Sequence, residues 1–205
     1  MNILENFIRV YWEYFLELEA QIIDTKRYVA FDKSNFHTYS IEYLKLFQAV
    51  CSEIDVVGKE IAVGTNPEFK IDNNTNIKKW GFEVQKAFPN LKDDMVIFNK
   101  EIEISPFTNW EYEISIGKKG QKNLRVVDDK PTIQWWKDYN DVKHQRTGLV
   151  SGTKNFALAN QKNLITSLAA LYLLETTYID FCMNEAPYNE INTSKLFTTK
   201  FPPHS

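Results

Sequence analysis

Between Trp135 and Arg146 the chain reads Trp-Trp-Lys-Asp-Tyr-Asn-Asp-Val-Lys-His-Gln-Arg, which brings two Trp, a Tyr, an Asn, a His and three cations into twelve residues. An imidazole titrates near neutrality, so His144 is suited to take or give a proton. The Asn140 carboxamide, one helical turn earlier, can orient a ring or bind a phosphate oxygen. Lys137, Lys143 and Arg146 can balance phosphate charge. In a helix, Trp136, Asn140 and His144 recur at i, i+4 and i+8 on one face, with Lys137 and Lys143 near that line. The segment is the candidate site. Its plainer explanation is that Asn140 and His144 satisfy each other or cap backbone groups in a helical core, and that the Trp pair is packing.

The elements that must position this segment follow from hydrophobic periodicity. Residues 2–24 carry Ile3, Phe7, Val10, Tyr11, Tyr14, Leu18 and Ile22 at helical spacing, and residues 40–62 carry Ile41, Leu44, Phe47, Val50, Cys51, Ile54, Val57 and Ile61. Thr38 or Ser40 can cap the second helix, with Glu42 in its first turn. Beyond Gly64 the chain is rich in turn residues, and a short helix is expected over 76–88. The period then falls to two over 95–104 and 110–116, with a further strand at 124–127 after the Gly117-Lys118-Lys119-Gly120 turn. Pro131 opens a helix that carries the candidate site to about Arg146. A last helix is expected over 154–183, followed by an extended tail. The expected architecture is mainly α, a four-helix bundle with a small antiparallel β insertion at 64–130 between the second and third helices, in one domain over 1–205.

Composition narrows the function. The chain has 205 residues, 43% of them hydrophobic and 14% aromatic, which is ordinary for one globular domain with a large aromatic share in its core. With 24 Lys and Arg against 27 Asp and Glu, no global field draws it to nucleic acid, so any such contact needs a local patch. Seven Gly, spread along the chain, form no P-loop or dinucleotide fingerprint. The three His show no metal-ligand spacing, so neither a metal nor a cofactor is expected. Cys51 and Cys182 fall in apolar helical patterns and are expected as buried free thiols. The start of the chain lacks a basic segment followed by an apolar run, and Leu164–Leu174 is too short to cross a bilayer, so no membrane association and a cytoplasmic location are expected.

Ser52-Glu53-Ile54-Asp55 with Lys59, then Tyr139-Asn140-Asp141-Val142-Lys143-His144-Gln145-Arg146, then Ala159-Asn160 and Asn163 leading into Leu164–Leu174, resemble the motifs of the HEPN superfamily of four-helix domains. The resemblance covers 1–63 and 131–183. It implies an all-α bundle that dimerises through its motif helices. It also implies metal-independent RNase activity in catalytic members, which often serve toxin–antitoxin or phage-defence systems. Those members carry an Arg, then four to six intervening residues, then the His; here Lys137, Asp138 and Tyr139 stand seven, six and five before His144, and none is Arg.

Two expectations follow. One is a non-catalytic dimeric interaction module that binds RNA, a nucleotide or a partner protein. The other is an RNase in which His144 is the general acid or base, Asn140, Lys143 and Arg146 complete the catalytic set, and Lys137, Lys143 and Arg146 hold phosphate. Glu53, Asp55 and Trp136 are the expected supporting residues in both.

Overall fold

The computed structural model describes residues 3–116, 122–126, 133–150, 152–183 and 191–199. Three abutting helical stretches, Ile3–Phe7, the π-helical Ile8–Trp12 and Glu13–Asp24, form one rod, α1. The second helix, α2, is Ile41–Thr65, and its start is set by Ser40, whose Oγ accepts the Tyr43 N–H at 3.0 Å. Leu44, Phe47, Val50, Cys51, Ile54, Val57 and Ile61 are buried as the period requires, while Ile41, in the first turn, is exposed. A shorter helix, α3, spans Ile77–Ala87, and α4, Gln134–His144, carries the candidate segment. The last helix, α5, is Gln161–Met183 and is buried nearly all round, as a helix apolar on every face must be.

Helix α2 is the hub: it packs against α1, α3, α4 and α5. The protein is mainly helical, with small antiparallel β pieces. Strands β1 (Val96–Phe98) and β2 (Ile102–Ile104) form a hairpin, and β3 (Tyr112–Ile116) with β4 (Lys122–Val126) a second one. A two-residue ladder pairs β5 (Leu149–Val150) with β6 (Thr153–Lys154), and β7 (Phe197–Thr199) adds antiparallel to β1. The turn at 117–120 and Pro131 lie outside the described residues.

One departure from the expected elements has a clear physical cause. The helix expected over 154–183 begins only at Gln161. Asn160 bends the chain out of helix by accepting the Asn163 N–H on its Oδ1 at 3.0 Å, the competition with backbone bonding that puts Asn at helix starts. Ahead of it the chain makes the β5–β6 hairpin, turning at Gly152 with φ of 82°, and a 3-10 turn over Asn155–Leu158. The tail is extended as expected, but its burial was not foreseen. Leu196 and Phe197 are buried, and Phe197 packs between Phe98 and Tyr172 at 5.5 and 5.4 Å, so the tail's described part belongs to the core.

The 64–130 segment shares that core. Trp80 of α3 is fully buried, edge-on to Trp110 at 5.8 Å and to Trp136 of α4 at 6.5 Å. Helix α5 is long and apolar enough to cross a membrane by length and composition, yet 72% of that stretch is packed inside the protein, where a central core helix needs the same residues.

Candidate functional site

Helix α4 is held at both ends. Near its start, Trp135 donates from Nε1 to the Pro106 carbonyl at 2.8 Å and packs on Phe107. At its end, Asn155 donates to the Asp141 and Gln145 carbonyls at 3.3 and 2.8 Å, a second donor for two oxygens that also accept the Gln145 and Gly148 N–H groups. Gly148 makes room for that clamp: a Cβ there would lie 2.9 Å from the Asn155 amide nitrogen. Tyr139, buried against Phe47 at 6.0 Å, fixes the rotation of α4 against α2.

With that rotation, Trp136, Tyr139, Asn140 and Lys143 line a groove of about 390 Å³, facing Ser52 and Asp55 of α2 and the start of α3 at Asn76, Ile77 and Lys78. Asn76 caps α3, its Oδ1 accepting the Lys78 N–H at 3.0 Å. The preceding turn is braced by Asp72, which accepts from Thr75 Oγ1 and the Asn74 N–H, both at 2.9 Å. The Thr75 hydroxyl, bonded to the ionised form, holds the Asp72 carboxyl below the usual carboxylate range. The groove therefore joins an aromatic wall to two carboxamides, two lysines and the positive end of a helix dipole, although the Lys78, Lys79 and Trp80 N–H groups are already bonded to Asn76.

Its electrostatics are mixed. Asp55 accepts from Trp80 Nε1 at 2.9 Å and pairs with Lys59, so its charge is already met within the protein. Lys143 Nζ stands 5.4 Å from the centre of the Tyr139 ring, a cation–π contact that holds the ammonium over the groove wall. Burial, then the neighbouring Cys51 and Asp55, push the Tyr139 hydroxyl up to about 12, so it stays a donor at neutral pH.

The remaining candidate residues lie elsewhere. His144 is the last residue of α4; it is exposed, has no hydrogen-bond or ion-pair partner among the described residues, and does not line the groove. At about 100° per residue, Lys143 and His144 leave the helix on either side of the Trp136–Asn140 line, and only Lys143 turns inward. Lys137 is exposed and also outside the groove. Arg146, beyond the helix, donates to Gln48 Oε1 of α2 at 3.3 Å. Glu53 is two residues from Asp55 and so projects to the other side of α2, where it faces Tyr11 and Glu175. The structure thus gathers Trp136, Asn140, Lys143 and Asp55, and separates them from His144, Lys137, Arg146 and Glu53.

Residues 75–78 were not foreseen as part of the site. The one local signal was the capping type at Asn76; nothing in the sequence says that the start of α3 meets α4. Among the described residues, no group of three or more His, Cys, Asp or Glu side chains is placed to hold a metal ion. The two cysteines are buried and form no disulfide. The sequence matches no protein-family model, and no curated protein or solved structure matches the chain.

Proposed function

We propose that the protein is a HEPN-like helical module that binds RNA or a nucleotide in the groove between α2, α3 and α4, without catalysing a reaction there. The observation that supports this most is the joint presence, in one groove, of Trp136, Asn140 and Lys143 with the Asn76–Lys78 helix start. Lys143 and Lys78 supply phosphate charge, the α3 helix dipole adds to it, and Asn140 offers a donor and an acceptor to a base edge. Trp136 is half-buried and leaves ring surface at the groove for stacking. A general base is missing from this set, because His144 does not line the groove and Asp55 is already committed to Lys59 and Trp80.

A fluorescein-labelled oligoribonucleotide titrated into the protein tests the reading. Binding is expected, weakening as salt is raised from 50 to 200 mM (about the range over which phosphate contacts are screened). Lys143→Ala should weaken it about tenfold, the effect of losing one charge-assisted contact. His144→Ala should leave it unchanged, since that side chain lies outside the groove. Absence of binding at low salt would sink the proposal. Cleavage of the RNA in excess chelator, lost in His144→Ala, would replace it with general acid–base catalysis at the end of α4.

A further inference from the structure

Helix α4 presents a second cavity on the side away from the groove. It has a volume of about 450 Å³, within the usual range of small-molecule sites. Asp138 forms part of its wall; two residues from both Trp136 and Asn140, it points roughly opposite to them. Asp138 is 7% exposed. One of its oxygens accepts from Gln134 Nε2 at 2.6 Å and the other from Asn163 Nδ2 at 2.7 Å. Both donors are neutral amides. Among the described residues, no Lys, Arg or His nitrogen pairs with this carboxylate. Buried carboxylates are ordinarily matched by a cation, because neutral dipoles repay only part of the lost hydration. Each Asp138 oxygen also retains acceptor capacity beyond the one amide it holds.

The rest of the wall is complementary to the body of an organic ligand. Val150, Ala157 and Leu158 supply apolar surface, and Tyr39, 51% exposed, stands at the rim with ring area to spare. His37 and Tyr39 are the other titratable groups on the wall, and both are exposed. A phosphate or carboxylate ligand would meet the Asp138 charge and be repelled.

We infer that this cavity binds a small organic cation, an ammonium or amidinium group carried on an apolar or aromatic body. The cationic head donates to Asp138. The body lies on Leu158 and Ala157 and is covered by Tyr39, whose ring adds cation–π attraction. The inference is independent of RNA binding, since the two cavities open on different sides of α4.

Benzamidine and benzamide have the same shape and differ in charge, so they separate electrostatic recognition from simple filling of space. Each is titrated into the whole protein by calorimetry at pH 8. Benzamidine is expected to saturate, and benzamide to bind at least about tenfold more weakly. Tyr39→Ala, at an exposed position that tolerates change, should weaken benzamidine several-fold. Asp138→Asn should abolish the preference for the charged probe. If that variant fails to fold, Tyr39→Ala and the benzamide comparison decide. No saturable benzamidine binding up to about 10 mM, equal binding of the two probes, or undiminished binding to Tyr39→Ala would overturn the inference.

Discussion

Glu175 is fully buried in α5, and neither carboxyl oxygen has a hydrogen-bond partner among the described residues. Burial pushes its pKa well above the ordinary 4.5, and the facing Glu53 pushes it the same way. Burial raises Glu53 as well. An acid with a raised folded pKa keeps its proton in the fold at pH values where the unfolded chain has released it. Its contribution to stability is therefore full below the unfolded pKa and is lost as pH rises toward the folded one. The free energy of unfolding should fall as pH is raised from about 4.5 through neutrality. Glu175→Met removes both unpartnered acceptors at similar volume and should stabilise the protein by about 1–3 kcal/mol at pH 8, with a flatter pH dependence. Urea unfolding at pH 5 and pH 8 measures both; a variant no more stable than wild type at pH 8 would mean that the buried carboxyl has a compensating partner.

Between elements, the contact that matters most to the groove is α2 against α3. Gly58 lies within α2, where Ala would ordinarily be favoured by about 1 kcal/mol. Here a Cβ would stand 2.5 Å from the Trp80 ring, and that ring is fully buried and anchored through Nε1 to Asp55. Gly58→Ala should accordingly cost about 1–3 kcal/mol, reversing the usual sign. Because Trp80 also touches Trp136, the same substitution should weaken RNA binding even though position 58 does not line the groove. A neutral or stabilising Gly58→Ala in thermal unfolding would show that the α2–α3 contact is loose.

On the scale of the whole molecule, the end of the described chain closes the fold onto its beginning. Glu19 of α1 is 2% exposed and accepts from Ser194 Oγ and from the Lys195 and Leu196 N–H groups, the last two at 2.9 and 3.0 Å. Trp12 donates from Nε1 to the Asn192 carbonyl at 2.7 Å. Removing residues 191–205 would strip Glu19 of these donors, uncover Phe98 and leave β1 without a partner on one edge. Truncation after residue 190 should cost at least about 3 kcal/mol, the scale of a buried charge left unpaired. Comparing urea midpoints of the full and truncated chains checks this; equal midpoints would mean that the tail is an ornament on the sheet.

The sequence by itself determined the rods. The apolar stripe of α2, the Ser40 cap, the burial of both cysteines and the alternation at 96–104 could all be read, because each follows from spacing within a few residues. The α1 stripe could not, since Ile3, Val10 and Tyr14 are exposed and Leu4, Ile8, Trp12 and Phe15 face the core across a π-helical turn that breaks the 3.6-residue period. It also marked α4 as the segment where functional residue types concentrate. Tertiary structure alone decided how α4 is rotated. A periodicity argument places Asn140 and His144 on one stripe, but whether that stripe or its edge faces a neighbour depends on Tyr139 locking against α2 and on the Asn155 clamp. That rotation turns Lys143 into the groove and His144 out of it, and sends Asp138 into a separate cavity. The meeting of α4 with the start of α3, and of the tail with Glu19, joins residues dozens to well over a hundred positions apart. Such contacts leave no trace in local spacing, since they arise from burial of the whole chain at once.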